Sequence, residues 1–476
     1  MYPFVMIQKH KRTKIVCTIG PATDTVRAMI ALGNAGMDVA RLNFSHGTHA
    51  SHAALLRRLR QAGRHLERPF AILQDLQGPK IRVGNLPDQG VLLRGEAVFS
   101  TSPNPAPGDI PVTLPSLHAD VARGSRILLD DGLLECVVRR VDGHRIHCDV
   151  LQGGTLTSHK GLNLPGTHLR IPALSDKDRA DAAFGVKAGV DFVAMSFIRT
   201  AKDVEDLRRM LKKTPGAAGI QIIGKIEKPE AIDHFDSILP LLDAVMVARG
   251  DLGIELRPET VPVIQKQIIN ACRHAGKPVI VATQMLDSMQ RNPRATRAET
   301  SDVANAVADH TDAVMLSGET ATGAFPVQAV RAMATAILAM ERSVFDDLTP
   351  YALPADTHVT EIIGATVRVV SDALQHAPVL LLTASGATAR AVSAYRPEAR
   401  LFAVTHNERV ARQLRLVWGQ DAFFLKKQSS PEKQLRAALS LLQRKRLVKP
   451  SQLLVAVSGS SLRHAEGTNR IEIVRV

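Results

Sequence analysis

The sequence predicts an α/β protein built on a (β/α)8 TIM barrel, with an inserted small β-barrel lid domain and a C-terminal α/β domain. Two observations lead to this prediction. Eight short apolar runs alternate with helical segments along roughly the first two thirds of the chain, which is typical of the barrel. One connection between successive runs is far longer than the loops of compact domains. A doubly wound open sheet is the alternative, but no Gly-rich dinucleotide turn follows the first strand.

Each predicted barrel strand is an apolar run that is too short for a helix and is bounded by turn residues. Between the runs, apolar residues recur at i, i+3 and i+4 and stop at a glycine, as in residues 25–35 before Gly36. Helical connections of this kind make parallel strands. The predicted strands are residues 14–20, 39–45, 70–76, 192–197, 220–227, 244–248, 278–283 and 313–317.

The long connection follows the third strand and has a different texture. Short β-like pieces punctuated by Gly and Pro fill residues 81–171. An insertion at this point emerges on the face where the strands end, so we expect it to act as a lid that excludes water. After the eighth strand, the Pro-bearing link 349–354 leads into a segment with its own strand and helix rhythm. The predicted domains are a barrel of residues 1–80 and 172–346, a lid of 81–171 and a C-terminal domain of 347–476.

Composition narrows the class of partner. The formal net charge of +14 would permit nucleic-acid binding, but the basic residues are dispersed and only three Tyr and one Trp are present to stack on bases. We therefore expect anionic small molecules and no nucleic acid. No apolar run is long enough to span a membrane, and the N-terminus lacks the apolar middle of a secretion signal. The four cysteines lack disulfide or metal-ligand spacing, which predicts a cytoplasmic location.

The central stretch of the chain carries the strongest functional pattern. The strand predicted at 220–227 ends with Lys225 and Glu227, and the strand at 244–248 is followed by Arg249 and Asp251. The helical crossover between them sets both strand ends side by side. A cation beside two carboxylates suits metal-assisted chemistry on an anionic substrate. For one strand end alone, a structural ion pair is the alternative.

The other predicted strands also end in polar groups, and burying so many for stability alone would be costly. Lys225 and the hydroxyls suit a phosphate, as does Arg41. Glu227 and Asp251 supply oxygen ligands in a number typical of Mg²⁺. Gly250 and Asp251 open a turn into a short helix, whose N–H groups could hold a substrate carboxylate. The strand-end residues are Thr18, Arg41, Asn43, Ser45, Asp75, Ser196, Lys225, Glu227, Asp251, Thr283, Ser317 and Glu319.

Several long segments in order along the chain resemble the pyruvate kinase family. This resemblance implies transfer of a phosphoryl group from phosphoenolpyruvate to ADP, giving pyruvate and ATP in the last step of glycolysis. It further implies Mg²⁺, with Mn²⁺ as a substitute, and a homotetramer. The matching segments include TKIVCTIGPAT, MDVARLNFSHGTH, LQDLQGPKIRVG, KGLNLPG, GKIEKPEAI, VMVARGDLGIE, VATQML and VMLSGETATGAFP.

The resemblance also assigns roles to individual positions. Lys225 matches the lysine that stabilises the transferring phosphoryl group, and Glu227 with Asp251 matches the magnesium ligands. A magnesium-dependent barrel lyase that uses phosphoenolpyruvate or pyruvate as carbon nucleophile is the alternative, but it gives no reason for the lid. Positions that match substrate contacts are Arg41, Ser196, Gly250, Asp251 and Thr283; those that match the nucleotide site are Asn43, Phe44, Ser45, His46, Arg82 and Lys160.

One departure from the family concerns potassium. The resemblance places a monovalent cation at Asn43, Ser45, Asp75 and the carbonyl of Leu76, but Lys80 stands where many members have Glu. An ammonium there would repel a bound cation and could substitute for its charge. We therefore predict activity without potassium. The alternative is that Lys80 turns to solvent and potassium binds.

The C-terminal segment contains a hydroxyl- and glycine-rich turn between a predicted strand and helix. Such a turn suits phosphate, and it resembles the family's sugar-phosphate effector loop, which implies a phosphorylated allosteric effector. A capped helix start without a ligand is the alternative. The later loop 458–461 could close over the same anion. The candidate effector residues are Thr383, Ser385, Gly386 and Thr388.

Overall fold

The computed structural model describes residues 11–167, 169–348, 353, 357–459 and 468–476. The chain begins with three parallel strands joined by two helices. Thr25 caps the first helix by accepting a hydrogen bond from the Ala28 N–H, and Gly36 ends it at φ 133°, a conformation that favours glycine. The elements are β1 (Lys14–Thr18), α1 (Val26–Ala35), β2 (Val39–Asn43), α2 (His49–His65) and β3 (Ala71–Asp75).

The insertion after β3 is a small barrel with its own apolar core. Six of its strands form one sheet in the order β11-β7-β8-β9-β5-β6, and β10 pairs with β4. Bridges from Arg82 to Gly161 and from Val83 to Val112 join the two edges of the six-stranded sheet and close it. Its elements are β4 (Val91–Leu93), β5 (Glu96–Ser100), β6 (Ile110–Pro111), α3 (Leu117–Asp120), β7 (Arg126–Leu129), β8 (Leu134–Asp142), β9 (Arg145–Gln152), β10 (Gly154–Leu156) and β11 (Leu162–Asn163).

The chain then returns and completes the large barrel with five strands, each buried throughout or nearly so. The elements are α4 (Asp176–Ala188), β12 (Phe192–Met195), α5 (Ala201–Lys213), β13 (Gln221–Ile226), α6 (Pro229–Asp233), α7 (Phe235–Ile238), β14 (Ala244–Ala248), α8 (Arg249–Glu255), α9 (Val261–His274), β15 (Val279–Ala282), α10 (Arg297–Ala308), β16 (Ala313–Leu316), α11 (Gly318–Ala321) and α12 (Pro326–Met340).

All eight predicted barrel strands are confirmed, in the closed parallel order β1-β16-β15-β14-β13-β12-β3-β2. Most are shorter than predicted at the carboxyl end, because the polar residues there have already turned into loops. The single helix expected at 229–239 is instead α6, α7 and a 3-10 turn, Leu239–Leu241. Pro240 lies in that turn and cannot donate a helical hydrogen bond.

The C-terminal domain is a five-stranded sheet in the order β19-β18-β17-β20-β21. The sequence prediction missed β19 and gave one helix over 408–418, whereas α15 is short and is followed by a 3-10 turn, Leu414–Leu416. The elements are α13 (Val359–Ala373), β17 (Val379–Leu382), α14 (Ala387–Ala394), β18 (Leu401–Thr405), α15 (Glu408–Gln413), β19 (Gln420–Phe424), α16 (Pro431–Arg444), β20 (Leu453–Ser458) and β21 (Arg470–Arg475).

This domain docks on the N-terminal end of the barrel. Leu416 is fully buried in the cluster that fills the barrel interior, together with Val16 and Val39. Arg412 Nε lies 2.8 Å from Asp191 Oδ1, just before β12. The barrel interior is therefore closed at this end by a side chain from another domain.

Two predicted segments lie wholly or partly outside the described residues. They are the link 349–354, of which residue 353 is described, and the end of the loop 458–461. All four cysteines are buried and unpaired. Within the described part of the chain, no helix combines the length and apolarity that crossing a membrane requires.

Candidate active site

Lys225 is the centre of a buried charge network at the carboxyl ends of the barrel strands. It projects from β13, and its Nζ lies 2.7 Å from Glu227 Oε1. Nζ donates to Ser196 Oγ at 2.8 Å, and that hydroxyl donates to the Leu76 carbonyl at 2.7 Å. The Lys225 side chain is 11% exposed, so the ammonium is fixed by the protein while its tip reaches the open end of the barrel.

Asp75 joins this lysine to the neighbouring Arg41. Asp75 Oδ2 accepts from Arg41 Nε at 2.7 Å and lies 2.6 Å from Nη2. Asp75 Oδ1 is buried, lies 3.3 Å from Lys225 Nζ, and has no hydrogen-bond partner among the described residues. Arg41 Nη1 donates to Thr18 Oγ1 at 2.8 Å. The guanidinium that the sequence assigned to phosphate is thus already held by two protein groups.

The electrostatics of the network keep the lysine charged. Burial alone would lower the pKa of Lys225, but Asp75, Glu227 and Asp251 outweigh it and hold that pKa well above the ordinary lysine value. Burial also opposes ionisation of Asp75, yet Lys225 and Arg41 lower the pKa of its carboxyl. At neutral pH the site therefore presents a fixed ammonium at Lys225 and an ionised Asp75.

Glu227 and Asp251 fit a divalent cation by their chemistry. Glu227 is buried, and its Oε2 accepts a hydrogen bond from the Phe197 N–H at 2.9 Å. Burial raises the pKa of Glu227, and the nearby Asp251 charge raises it further. Two carboxylates close enough to repel each other are a donor set that a cation would stabilise. Among the described residues, no cluster of three or more His, Cys, Asp or Glu side chains is arranged to hold a metal.

Backbone geometry at two strand ends is strained. Phe197 and Thr283 have φ of 57° and 71°, a region that bulky and β-branched residues rarely occupy. Thr283 Oγ1 accepts from the Gly250 N–H at 2.7 Å. The N–H group that the sequence offered to a substrate carboxylate is thus bonded to Thr283 here.

A cleft of about 310 Å³ separates the barrel from the lid. Arg82 and Lys160 line it from the lid, and His46 with Asp251 lines it from the barrel. Lys160 Nζ lies 2.7 Å from Asp130 Oδ1. The structure therefore brings three of the predicted nucleotide residues to one cleft beside a predicted metal ligand.

The other predicted nucleotide and monovalent-cation positions lie away from this cleft. The Phe44 ring is buried and stacks on His52, with ring centroids 3.9 Å apart. Asn43 Oδ1 accepts from the Ser45 N–H at 3.1 Å. Lys80 is exposed on the cleft rim, and the described residues include no acidic partner for its side chain. Asp75 is paired with Arg41 and Lys225 instead.

The sequence analysis missed a second charged pair in the cleft, which links the lid to the barrel. Lys228 Nζ lies 2.5 Å from Glu255 Oε1, and the same carboxylate accepts from Asn163 Nδ2 of the lid at 3.4 Å. Arg199 donates to the carbonyls of Leu169 and Ile171, where the chain returns from the lid. Lys228 was visible as the residue after the Lys225–Glu227 motif, but its partner is distant in the sequence.

The predicted effector turn lines a separate cavity of about 570 Å³ in the C-terminal domain. Thr383, Ser385 and Thr388 face this cavity, and Lys427 from the opposite wall is a cation within it. Gly386 has φ 82° and its N–H donates to Thr383 Oγ1 at 2.9 Å. The hydroxyls, the helix start and one cation thus meet in one cavity.

Comparisons with known proteins agree over nearly the whole chain. Family models match residues 10–330 as the barrel domain of pyruvate kinase and residues 360–474 as its alpha/beta domain. A pyruvate kinase of Geobacillus stearothermophilus is 45% identical over 470 residues, which cover 97% of this chain and 80% of that protein. One from Staphylococcus epidermidis is 42% identical over 473 residues, with the same coverage. A crystal structure of a Cryptosporidium parvum pyruvate kinase has a TM-score of 0.90 at 36% identity, covering 98% of this chain and 96% of that one.

Proposed function

The chain belongs to the pyruvate kinase family, whose members are phosphotransferases, and from this premise we propose that it transfers the phosphoryl group of phosphoenolpyruvate to ADP. The products are pyruvate and ATP. One observation supports this reaction most directly: Lys225 Nζ lies 2.7 Å from Glu227 and 3.3 Å from Asp75, at the barrel end where the cleft under the lid opens. A fixed ammonium beside a cation-binding carboxylate pair suits a transition state with charge spread over phosphoryl oxygens.

Each residue of the network has a role that follows from its position. Lys225 stabilises the negative charge on the phosphoryl group during transfer. Asp75 holds Lys225 and Arg41 at fixed positions, so little reorganisation is needed when the substrate binds. Ser196 positions the same ammonium by accepting its proton at 2.8 Å. The Thr283 hydroxyl, acting through a water, is the group we assign to protonating the enolate.

Glu227 and Asp251 would hold Mg²⁺, or Mn²⁺ in its place. When bound, the ion supplies positive charge that neutralises phosphoryl oxygens. The two carboxylates leave most coordination positions for water and substrate oxygens, as magnesium sites commonly do. Arg82 and Lys160 add positive charge on the lid side of the cleft, where we place the phosphates of ADP together with Asn43, Phe44, Ser45 and His46.

Pyruvate formation measured with and without ADP tests the reaction. We expect pyruvate to appear only when phosphoenolpyruvate, ADP and Mg²⁺ are all present, with ATP formed in equal amount. Consumption of phosphoenolpyruvate that needs an aldehyde or keto acceptor instead of ADP would point to the lyase chemistry and overturn the proposal.

We also propose that the enzyme works without potassium, because Lys80 supplies a positive charge at the cleft rim. The residues at the family's monovalent-cation positions support this: Asp75 already lies between Arg41 and Lys225. Assays in buffers that contain only tetramethylammonium as monovalent cation test the idea. Activity that appears only on adding potassium would contradict it.

Three further proposals follow from family membership. The cavity at Ser385 binds a phosphorylated effector, the enzyme is a homotetramer, and it is located in the cytoplasm. A thermal-shift screen of sugar phosphates against wild type and Ser385→Ala tests the first. Sedimentation at micromolar concentration tests the second; a monomer at all concentrations would contradict it.

A further inference from the structure

A third large cavity lies at the end of the barrel opposite the active site. It occupies about 650 Å³, a size within the range of small-molecule sites. Residues just before or at the start of β1, β2 and β3 form one wall, and the C-terminal domain forms the other, from β19 and the end of α16. The cavity therefore exists only because the two domains are docked.

Positive charge dominates its lining. Seven of the lining side chains are basic and three are acidic. Lys11 lies 2.6 Å from Asp38, which takes up that carboxylate. The other two acids are matched in the same way, by Arg400 with Asp421 at 3.2 Å and by a pair on the rim, Lys445 with Glu67 at 3.6 Å.

The cations that remain include one with an unmet hydrogen-bond donor. Arg415 is 7% exposed and lines the cavity. Its Nη2 donates to the Ala422 carbonyl at 3.2 Å, whereas its Nε is buried with no partner among the described residues. A buried donor without an acceptor costs free energy, so an anion that accepted from Nε would be favoured.

The titration of the lining groups agrees with a shortage of negative charge. Burial, with Arg68 nearby, lowers the pKa of Arg415 to about 10. Burial also lowers the pKa of Lys14 to about 8, and Lys11 adds to this effect. An anion in the cavity would oppose both shifts, because it stabilises the protonated forms.

We propose that this cavity binds a phosphoryl dianion, with Arg415, Arg68 and Lys14 as its main partners. Guanidinium groups match phosphate oxygens in pairs, which a single ammonium cannot do. Phe423, Leu441 and Leu447 line the same cavity and give an apolar surface for the organic part of a phosphate ester. The site is separate from both the active-site cleft and the cavity at Ser385.

Tryptophan fluorescence can test the proposal, because Trp418 is the only tryptophan in the chain and lies three positions after Arg415. The wild-type enzyme would be titrated with ribose 5-phosphate, with inorganic phosphate and with uncharged ribose. We expect a saturable change in Trp418 emission with the two phosphate probes and none with ribose. Tighter binding of ribose 5-phosphate than of inorganic phosphate would identify an ester as the ligand, and the reverse would identify the free ion.

Variants locate the signal. Arg415→Gln should weaken binding at least about ten-fold and Arg444→Gln, on the exposed rim, about three-fold. Arg331→Gln removes an equal charge from the exposed surface of α12, and Ser385→Ala alters the other cavity; both should bind within about two-fold of wild type. If thermal denaturation shows that Arg415→Gln is unfolded, Arg444→Gln decides.

Three results would overturn the proposal. The first is no saturable change with either phosphate probe. The second is wild-type affinity in both Arg415→Gln and Arg444→Gln. The third is loss of the signal in Ser385→Ala with retention in Arg415→Gln, which would place the anion in the other cavity.

Discussion

The two ends of the barrel both concentrate charge, but they arrange it differently. At the carboxyl end, Lys225, Asp75 and Glu227 form one network whose cation reaches a cleft. At the amino end, buried ion pairs such as Arg412 with Asp191 join the barrel to the C-terminal domain. The difference teaches that a buried ion pair by itself does not identify a catalytic site. What distinguishes the catalytic end is a fixed cation with access to substrate.

The largest expected effect is at the carboxyl end. Lys225→Ala should lower kcat by about 10³-fold or more and change KM for phosphoenolpyruvate much less, because the ammonium acts mainly on the transition state. Steady-state kinetics measure both constants, with Lys202→Ala on exposed α5 as the matched control. A change confined to KM would break the comparison, since it would make Lys225 only a binding group.

The counterpart at the amino end should affect stability instead of turnover. Arg412→Ala leaves the fully buried Asp191 with only Arg60, 3.7 Å away, and such losses typically cost about 3–5 kcal/mol. Urea denaturation measures the change, and Arg331→Ala serves as an exposed control. A folded variant whose kcat falls more than ten-fold would show that the two ends are coupled.

The metal ligands sharpen the picture of the catalytic end. Asp251→Asn removes one of two carboxylates and should raise the Mg²⁺ concentration for half-maximal activity by at least about ten-fold. Magnesium titrations of activity check this, with Asp236→Asn on exposed α7 as control. An unchanged magnesium requirement would place the ion elsewhere.

A charge reversal at the cleft rim tests the potassium proposal. Lys80→Glu should create a requirement for potassium, because a unit charge a few ångströms from the cation site is worth about 1–4 kcal/mol. Activity would be measured across a potassium series at constant ionic strength. A variant that stays insensitive to potassium would show that Lys80 does not substitute for the ion.

The smallest effect concerns pH at the amino end. Burial, with Glu341 nearby, raises the pKa of Asp346 to about 7, above its unfolded value near 4. The folded state therefore keeps a proton that the unfolded state has lost, and stability falls as pH rises through about 4 to 7. Asp346→Asn removes this loss, so its melting temperature should drop less than that of wild type between pH 5 and pH 8. Equal slopes would contradict it.

Much of the fold was predictable because the barrel strands are buried on both faces. Runs such as Ala244–Ala248 contain no polar residue, so their pattern identifies them directly. The strand Gln420–Phe424 was missed because it mixes polar and aromatic residues and follows a predicted helix that is shorter than expected. Its burial depends on docking against other elements, which local sequence does not report.

The candidate site was predictable as a set of residues but not as a set of contacts. Parallel strands bring their carboxyl ends together, which placed Lys225 and Glu227 correctly. The sequence did not indicate that Asp75 would hold Arg41, or that the Gly250 N–H would bond to Thr283. The cavity around Arg415 was not foreseen at all, because both of its walls come from distant parts of the chain.

Leu416 gives the C-terminal domain a role beyond any ligand it binds. This side chain belongs to the core inside the barrel, so a protein truncated before residue 347 would lose the stopper at the base of its catalytic half and expose apolar lining to solvent. Dissection into separately working halves should consequently fail. Any small rotation of the C-terminal half would also move a residue packed beneath the catalytic strands, which offers a mechanical route for regulation.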